Sequence, residues 1–252
     1  MSNQTRFSAP VYVPGIILFM LIATRNFDQS MYSVRTDQTG LVKPREPPMQ
    51  TISNGMLYFL TFSVAGYAIF AYGFQPLGSL VHPDMKANFL AHPVGIYTHI
   101  FASIVALTLG PLQFSSHLRQ KNTNLHRWLG RIYLAVGVLV GGLSGLYMSR
   151  FAYGGLIAQL GFGTLALLWL YTGLRAYLAI RQGAIADHRK WMIRNFSLTF
   201  AAVMLRLYLP AGMAAGIEFS LAYSIIAWLC WMPNLVFAEW RNNLVQNKRP
   251  RQ

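Results

Sequence analysis

The chain has 252 residues, of which 54% are hydrophobic and only 11% are charged. A soluble domain carries about a quarter charged residues, so this composition excludes a disordered chain and argues against an ordinary water-soluble surface. The formal net charge is +14, but the basic residues lie in short loops between long apolar blocks, which argues against a nucleic-acid-binding face. We therefore predict an all-α, polytopic transmembrane helix bundle whose partner is the lipid bilayer.

Residues 1–50 contain one short apolar run, Val11–Ala23, which Pro14 and Gly15 interrupt. Its length of about 13 residues is short for a membrane span and typical of a signal-peptide core. Residues 24–50 are polar and contain three prolines, which indicates a linker. A cleaved signal peptide would invert every later loop against the charge rule, so a short seventh span or an interfacial segment is favoured.

Six stronger apolar blocks follow, each of about 20 residues or more, which is the length that a spanning helix needs. They lie at roughly 52–74, 93–114, 126–149, 155–180, 189–209 and 217–239. We predict a transmembrane helical domain over residues 51–240 and a basic tail over 241–252. Glycines 141, 142, 145, 154 and 155 are expected to permit close helix packing.

The basic residues predict the orientation of the bundle. The loops between blocks two and three and between blocks four and five are rich in Lys and Arg, and Asp187 is their only acid. The tail is basic as well and falls on the same side in a six-span order. Because basic loops stay in the cytoplasm, we predict that this side and the C-terminus are cytoplasmic.

Two segments at that side resemble each other. Residues 126–131 and 188–194 each open a span with His-Arg, followed by a Trp and a second Arg. Two imidazoles at matching depth on non-adjacent helices can ligate one haem iron, and arginine forks suit the propionate carboxylates. We therefore predict a b-type haem site whose metal ligands are His126 and His188 and whose other members are Arg127, Arg189 and Arg194.

A structural interpretation of the same residues stays open. Arg and Trp at a helix end commonly form the interfacial belt that anchors a span and sets its orientation. Basic residues at this depth also bind anionic lipid headgroups. For the arginines and tryptophans we weight this interpretation more heavily, and for the two histidines both interpretations remain.

Two further ionisable residues lie inside the predicted spans, where such residues are costly and often functional. His99 lies about six residues inside the second block, and we expect it either to bind a cofactor or to bond a neighbouring helix. Arg206 lies 12 positions beyond Arg194, so roughly 18 Å further through the membrane. Its expected partner is Glu218, in a pair that is structural or that binds a charged ligand.

Enzyme signatures are missing from the sequence. It contains no phosphate-binding glycine loop, no Ser-His-Asp layout and no HExxH motif. Cys230 is the only cysteine, which excludes an intrachain disulfide and a thiolate metal cluster. These features assign the chain to no class of reaction.

Several ordered motifs resemble a known family. They are Gly110–Phe114, LHRWLGRIYL at 125–134, DHRKWMIRNFSLTFAAVMLR at 187–206, Trp231 and Glu239. Together they resemble the predicted membrane proteins classed as domain of unknown function number 2306, over roughly residues 52–240. The resemblance implies a membrane bundle and no settled activity. The two histidines also resemble the arrangement in two-haem b-type cytochromes, although the fourth apolar block, at roughly 155–180, lacks the histidine of a second pair.

Three functions follow as hypotheses. The first is a membrane redox protein that holds one b-type haem and passes electrons to a quinone or to a soluble partner. The second is a carrier or receptor for a small or lipidic ligand, with Arg206 attracting an anionic group. The third is a scaffold that assists another membrane complex.

Overall fold

The structure is a computed structural model, which describes residues 48–247, with side chains from 55 to 244. Within these residues every regular element is helical and no strand occurs. The predicted segment Val11–Ala23 and the last five residues of the tail lie outside the described range. By its contacts the chain divides after Met56, and the helix bundle belongs to the unit Leu57–Gln252.

The helices follow one another with short connections. In chain order they are α1 (Pro48–Ile69) with a π-helical end (Phe70–Phe74), α2 (Pro83–Ala91), α3 (Pro93–Gln113), α4 (Ser116–Lys121), α5 (Thr123–Ile132), a π-helix (Tyr133–Val140), α6 (Gly141–Ser149), α7 (Gly155–Arg181), α8 (Ile185–Thr199), α9 (Ala201–Ala214), α10 (Phe219–Leu229) and α11 (Met232–Asn247).

Six stretches of these helices are long and apolar enough to cross a membrane. Spans 1 to 6 are Gly55–Phe74, Pro93–Gln113, Thr123–Ser149, Gly155–Arg181, Ile185–Ala214 and Phe219–Leu244. The predicted all-α fold and its six spans are therefore confirmed. Span 5 begins four residues before its predicted start at 189, because its polar first turn is helical although it is not apolar.

The bundle has two ends, at which different spans begin and finish. The basic end is where spans 2 and 4 finish and spans 3 and 5 begin, and the distal end is where spans 3 and 5 finish and spans 4 and 6 begin. Left-handed glycines make tight turns at both ends: Gly154 has φ +90° before span 4, and Gly183 has φ +73° before span 5. A side chain at either position would be strained.

Small residues allow the spans to approach closely, as the sequence predicts. A Cβ added to Gly142 would lie 2.6 Å from Leu170, and one added to Gly145 would lie 2.8 Å from the His99 ring. At Gly137 the obstacle is backbone, which cannot turn aside as a side chain can, because a Cβ there would meet the Ala106 Cα at 2.9 Å. Gly155 is an exception among the predicted packing glycines, since no atom lies within 4 Å of its Cβ position.

A buried polar network joins spans 3, 4 and 5 at their centre. The Tyr133 hydroxyl donates to Asn195 Oδ1 at 2.7 Å, and Asn195 Nδ2 donates to the Trp169 carbonyl at 2.8 Å and to Thr172 Oγ1 at 2.9 Å. Thr199 Oγ1 accepts from Trp169 Nε1 at 2.9 Å. Tyr133 and Asn195 are completely buried. Because the Asn195 amide is bonded through both its oxygen and its nitrogen, the network fixes the register of these three spans.

Candidate functional site

A cavity of about 370 Å³ extends from the distal end into the middle of the bundle. This volume lies at the lower end of the range for small-molecule pockets. Its wall combines residues of the distal loops, such as Met85 and Tyr153, with residues deep in spans 4 and 5, such as Trp169 and Leu198. Most of the wall is apolar, and the few polar groups in it therefore determine what the cavity can bind.

Arg206 is the most polar of these groups. Among the residues that the structure describes, it is the only Lys, Arg, Asp or Glu in the lining. Its Nη1 donates to the Ala202 carbonyl, one helical turn earlier, at 3.0 Å. Tyr67, Tyr72 and Tyr223 line the same cavity and contribute hydroxyl groups but no formal charge. The guanidinium therefore presents further N–H donors to a cavity that holds no carboxylate.

The predicted pair of Arg206 with Glu218 is wrong. Glu218 is exposed at the N-terminus of α10, where its two carboxylate oxygens accept from the backbone N–H groups of Ser220 and Leu221, each at 2.9 Å. These bonds hold the pKa of the Glu218 carboxyl below its usual value. A helix N-terminus offers unpaired N–H groups and a favourable dipole, so the carboxylate binds locally and does not reach Arg206. Among the described side chains, Arg206 has no ion-pair partner.

His99 lies on span 2 and lines the same cavity. Its Nδ1 is 2.8 Å from the Gly141 carbonyl, which confirms the expected bond to a neighbouring helix. A carbonyl can only accept, so Nδ1 carries the proton and Nε2 carries the lone pair. The Nδ1–Cε1 edge of the ring lies against Gly145 of span 3. No hydrogen bond to Nε2 occurs within the described part of the chain, so His99 offers the cavity an acceptor.

At the basic end, His126 and His188 each occupy the fourth position of their span. His188 Nδ1 donates to the Ala176 carbonyl at 2.8 Å, which leaves Nε2 with a lone pair. His126 Nδ1 is buried and has no partner among the described residues. The two imidazoles are near enough to interact electrostatically. Neither lines the distal cavity, so the structure separates them from His99.

The arginines predicted to accompany these histidines differ in their surroundings. Arg194 forms a two-pronged ion pair with Glu239 of span 6, at 2.5 Å from Nε and 2.7 Å from Nη2. It also stacks on Trp191, with its guanidinium carbon 4.4 Å from the ring centroid. A propionate at Arg194 would therefore have to displace Glu239. Arg127 is exposed.

Metal-ligating residues are otherwise dispersed. Over the described residues, no group of three or more His, Cys, Asp or Glu side chains could hold a metal ion. A haem ligated by two histidines needs only two such residues. The prediction of that site therefore stays a prediction.

Residues 96–241 match the model of a family described as "Predicted membrane protein (DUF2306)". The chain belongs to this family. The match covers spans 2 to 6 almost completely and contains His99, His126, His188 and Arg206, so the DUF2306 region holds both candidate sites. No curated protein and no solved structure matches the chain. The chain is thus an integral membrane protein, and the description of DUF2306 adds no activity.

Sequence reasoning missed most of the cavity wall. Tyr67, Tyr72 and Tyr223 come from spans 1 and 6 and meet only in the folded bundle. In the sequence, aromatic residues near span ends are indistinguishable from an interfacial belt. The one indication of the cavity in the sequence was the presence of two ionisable residues inside spans, His99 and Arg206, although the sequence predicted different roles and different partners for them.

Proposed function

We propose that this protein binds a small anionic ligand in the distal cavity and acts as a carrier or receptor for it. The observation that supports this function is Arg206, a cation that faces a largely apolar cavity without a carboxylate partner. A bound anion would supply the missing charge.

Burying a charged side chain inside a membrane protein without an opposite charge is costly in free energy. An ionisable side chain inside a span faces the bundle interior or a water-filled cavity and pairs with an opposite charge, because burying it alone is unfavourable. The guanidinium fork matches the two oxygens of a carboxylate or the oxygens of a phosphate. The cavity is therefore suited to a ligand with one acidic group and an apolar body.

The test measures octanoate binding by calorimetry to the purified protein in phosphatidylcholine nanodiscs, with empty discs as the reference. A hydrogen-bonded charged group contributes about 1.5–3 kcal/mol. We therefore expect Arg206→Gln to weaken octanoate binding by roughly ten- to a hundredfold, and Arg206→Lys to weaken it less. The matched control is Arg150→Gln, because Arg150 is an exposed arginine at the distal end that does not line the cavity. Equal losses in both glutamine variants would contradict the proposal.

A second candidate function is electron transfer through a b-type haem held by His126 and His188, with a quinone or a soluble protein as the acceptor. It is favoured by the His188 bond to Ala176, which fixes the ring in the tautomer that a metal ligand requires, and by the unpartnered ring nitrogen of His126. Protein expressed with ample haem should then show a Soret band that shifts on reduction. His126→Ala and His188→Ala should each abolish the band, and a colourless, folded protein would refute this candidate.

A further inference from the structure

We propose that the ligand of the distal cavity is a hydroxylated monocarboxylate: its carboxylate binds Arg206, a hydroxyl donates to His99 Nε2, and its hydrocarbon body lies on the apolar wall. This inference rests on the proposed function and specifies the ligand class. It combines the charge of the cavity, the imidazole acceptor of His99 and the character of the wall.

The charge of the cavity selects a monoanion. Of the described residues in the lining, Arg206 alone has a fixed charge, and the other ionisable groups are Tyr67, Tyr72, His82, His99, Tyr153, Tyr223 and Cys230. A monocarboxylate leaves the occupied cavity neutral. A dianionic phosphate leaves one negative charge in an apolar setting, and a zwitterionic amino acid leaves its own ammonium group uncompensated. Uncompensated charge is costly at such a depth, so the monocarboxylate is favoured over both.

The imidazole selects a donor. His99 Nδ1 is committed to the Gly141 carbonyl, which leaves Nε2 as the lone-pair nitrogen of the ring. Because Nε2 has no donor among the described residues, a ligand without a donor would bury an unsatisfied acceptor. A hydroxyl satisfies it without adding charge, whereas an ammonium group would add a charge.

The wall selects the rest of the ligand. Phe162 and Leu165 of span 4 and Leu205 and Leu209 of span 5 line the cavity beside these polar groups. Such a surface is favourable for a hydrocarbon chain and unfavourable for a second polar head. A hydroxylated acid with a short alkyl chain meets all three requirements.

The experiment compares octanoate, α-hydroxyoctanoate and β-hydroxyoctanoate by calorimetry in phosphatidylcholine nanodiscs. We expect one hydroxy acid to bind the wild-type protein about tenfold more tightly than octanoate, the effect of one hydrogen bond to a neutral group. In His99→Phe, which keeps a planar ring but removes the acceptor, this preference should vanish, because octanoate then leaves no acceptor unsatisfied. Octyl phosphate and β-aminooctanoate should bind the wild type more weakly than octanoate.

The outcomes separate this inference from the proposed function. If octanoate binds in an Arg206-dependent manner but neither hydroxy acid is preferred, or if the preference survives in His99→Phe, the role of His99 is overturned and the anion site stands. Octyl phosphate that binds more tightly than octanoate would overturn the charge argument. If none of the five ligands binds the wild-type protein, the proposed function fails together with this inference. Octanoate binding also reports whether His99→Phe is folded.

Discussion

The ion pair between Arg194 and Glu239 connects spans 5 and 6 at the basic end, and its removal gives a quantitative prediction. Both guanidinium contacts are short, at 2.5 Å and 2.7 Å, and the Arg194 side chain is only 18% exposed. Glu239 is 44% exposed, so solvent screens part of the attraction. In Glu239→Gln, Arg194 keeps its stacking on Trp191 but loses its counter-charge.

The expected loss lies between two limits. An exposed ion pair contributes about 0.2–1 kcal/mol, and breaking a buried one costs about 3–5 kcal/mol. Because Arg194 is largely shielded from solvent and Glu239 is more exposed, we expect Glu239→Gln to lower the free energy of unfolding by about 1–2 kcal/mol. A double-mutant cycle with Arg194→Gln should yield a coupling energy of about 1 kcal/mol.

The assay is reversible unfolding in mixed micelles, followed by tryptophan fluorescence. Asp187→Asn is the control, since Asp187 is 61% exposed and lies 3.8 Å from Lys190 within the same helix. It should change the free energy of unfolding by less than about 0.5 kcal/mol. A coupling energy near zero for Arg194 and Glu239, or an equal loss in the control, would refute the reasoning.

Three further predictions concern orientation and packing. If the basic end faces the cytoplasm, Ser116→Cys, made in a chain with Cys230→Ser, should resist an impermeant thiol reagent in intact cells and react after permeabilisation. Labelling in intact cells would show that the basic end faces outward. Asn195→Leu leaves the Tyr133 hydroxyl without its closest acceptor and should cost about 1–3 kcal/mol in unfolding free energy, whereas Ser144→Ala removes only bonds within one helix and should cost little. Gly137→Ala should lower the melting temperature clearly because its Cβ meets the Ala106 backbone at 2.9 Å, while Gly66→Ala, with no atom within 4 Å, should not; equal melting temperatures would contradict the packing.

The spans were predictable from the sequence because each depends on local composition. A block of about 20 apolar residues can satisfy its backbone in a membrane only as a helix, and the predicted starts of spans 2, 3, 4 and 6 lie within three residues of the observed ones. The start of span 5 differed more, because the turn that carries His188 and Arg189 is polar yet helical. The π-helix at Tyr133–Val140 could not be predicted from the sequence, since its apolar residues suit an α-helix equally well.

The sites were predictable only in part, because partners far apart in sequence compete with local ones. Glu218 has two backbone N–H groups within three residues, and both of its carboxylate oxygens accept from these local donors and not from a guanidinium on another helix. Arg194 pairs with the carboxylate of Glu239, which lies 45 residues away in the sequence, and no rule of sequence spacing predicts this pair. The sequence did single out His99 and Arg206, because an ionisable residue in a span is conspicuous in any order. That they share one cavity follows from the packing of the spans.

A comparison of octanoate with octanol, which have the same hydrocarbon chain and differ in charge, shows whether the distal cavity binds an anion through Arg206. If Arg206 is the anion-binding group, the wild-type protein in nanodiscs should bind octanoate at least about tenfold more tightly than octanol. In Arg206→Gln the two affinities should converge, while Arg150→Gln should keep the wild-type ratio. A preference for octanoate that persists undiminished in Arg206→Gln would contradict the account.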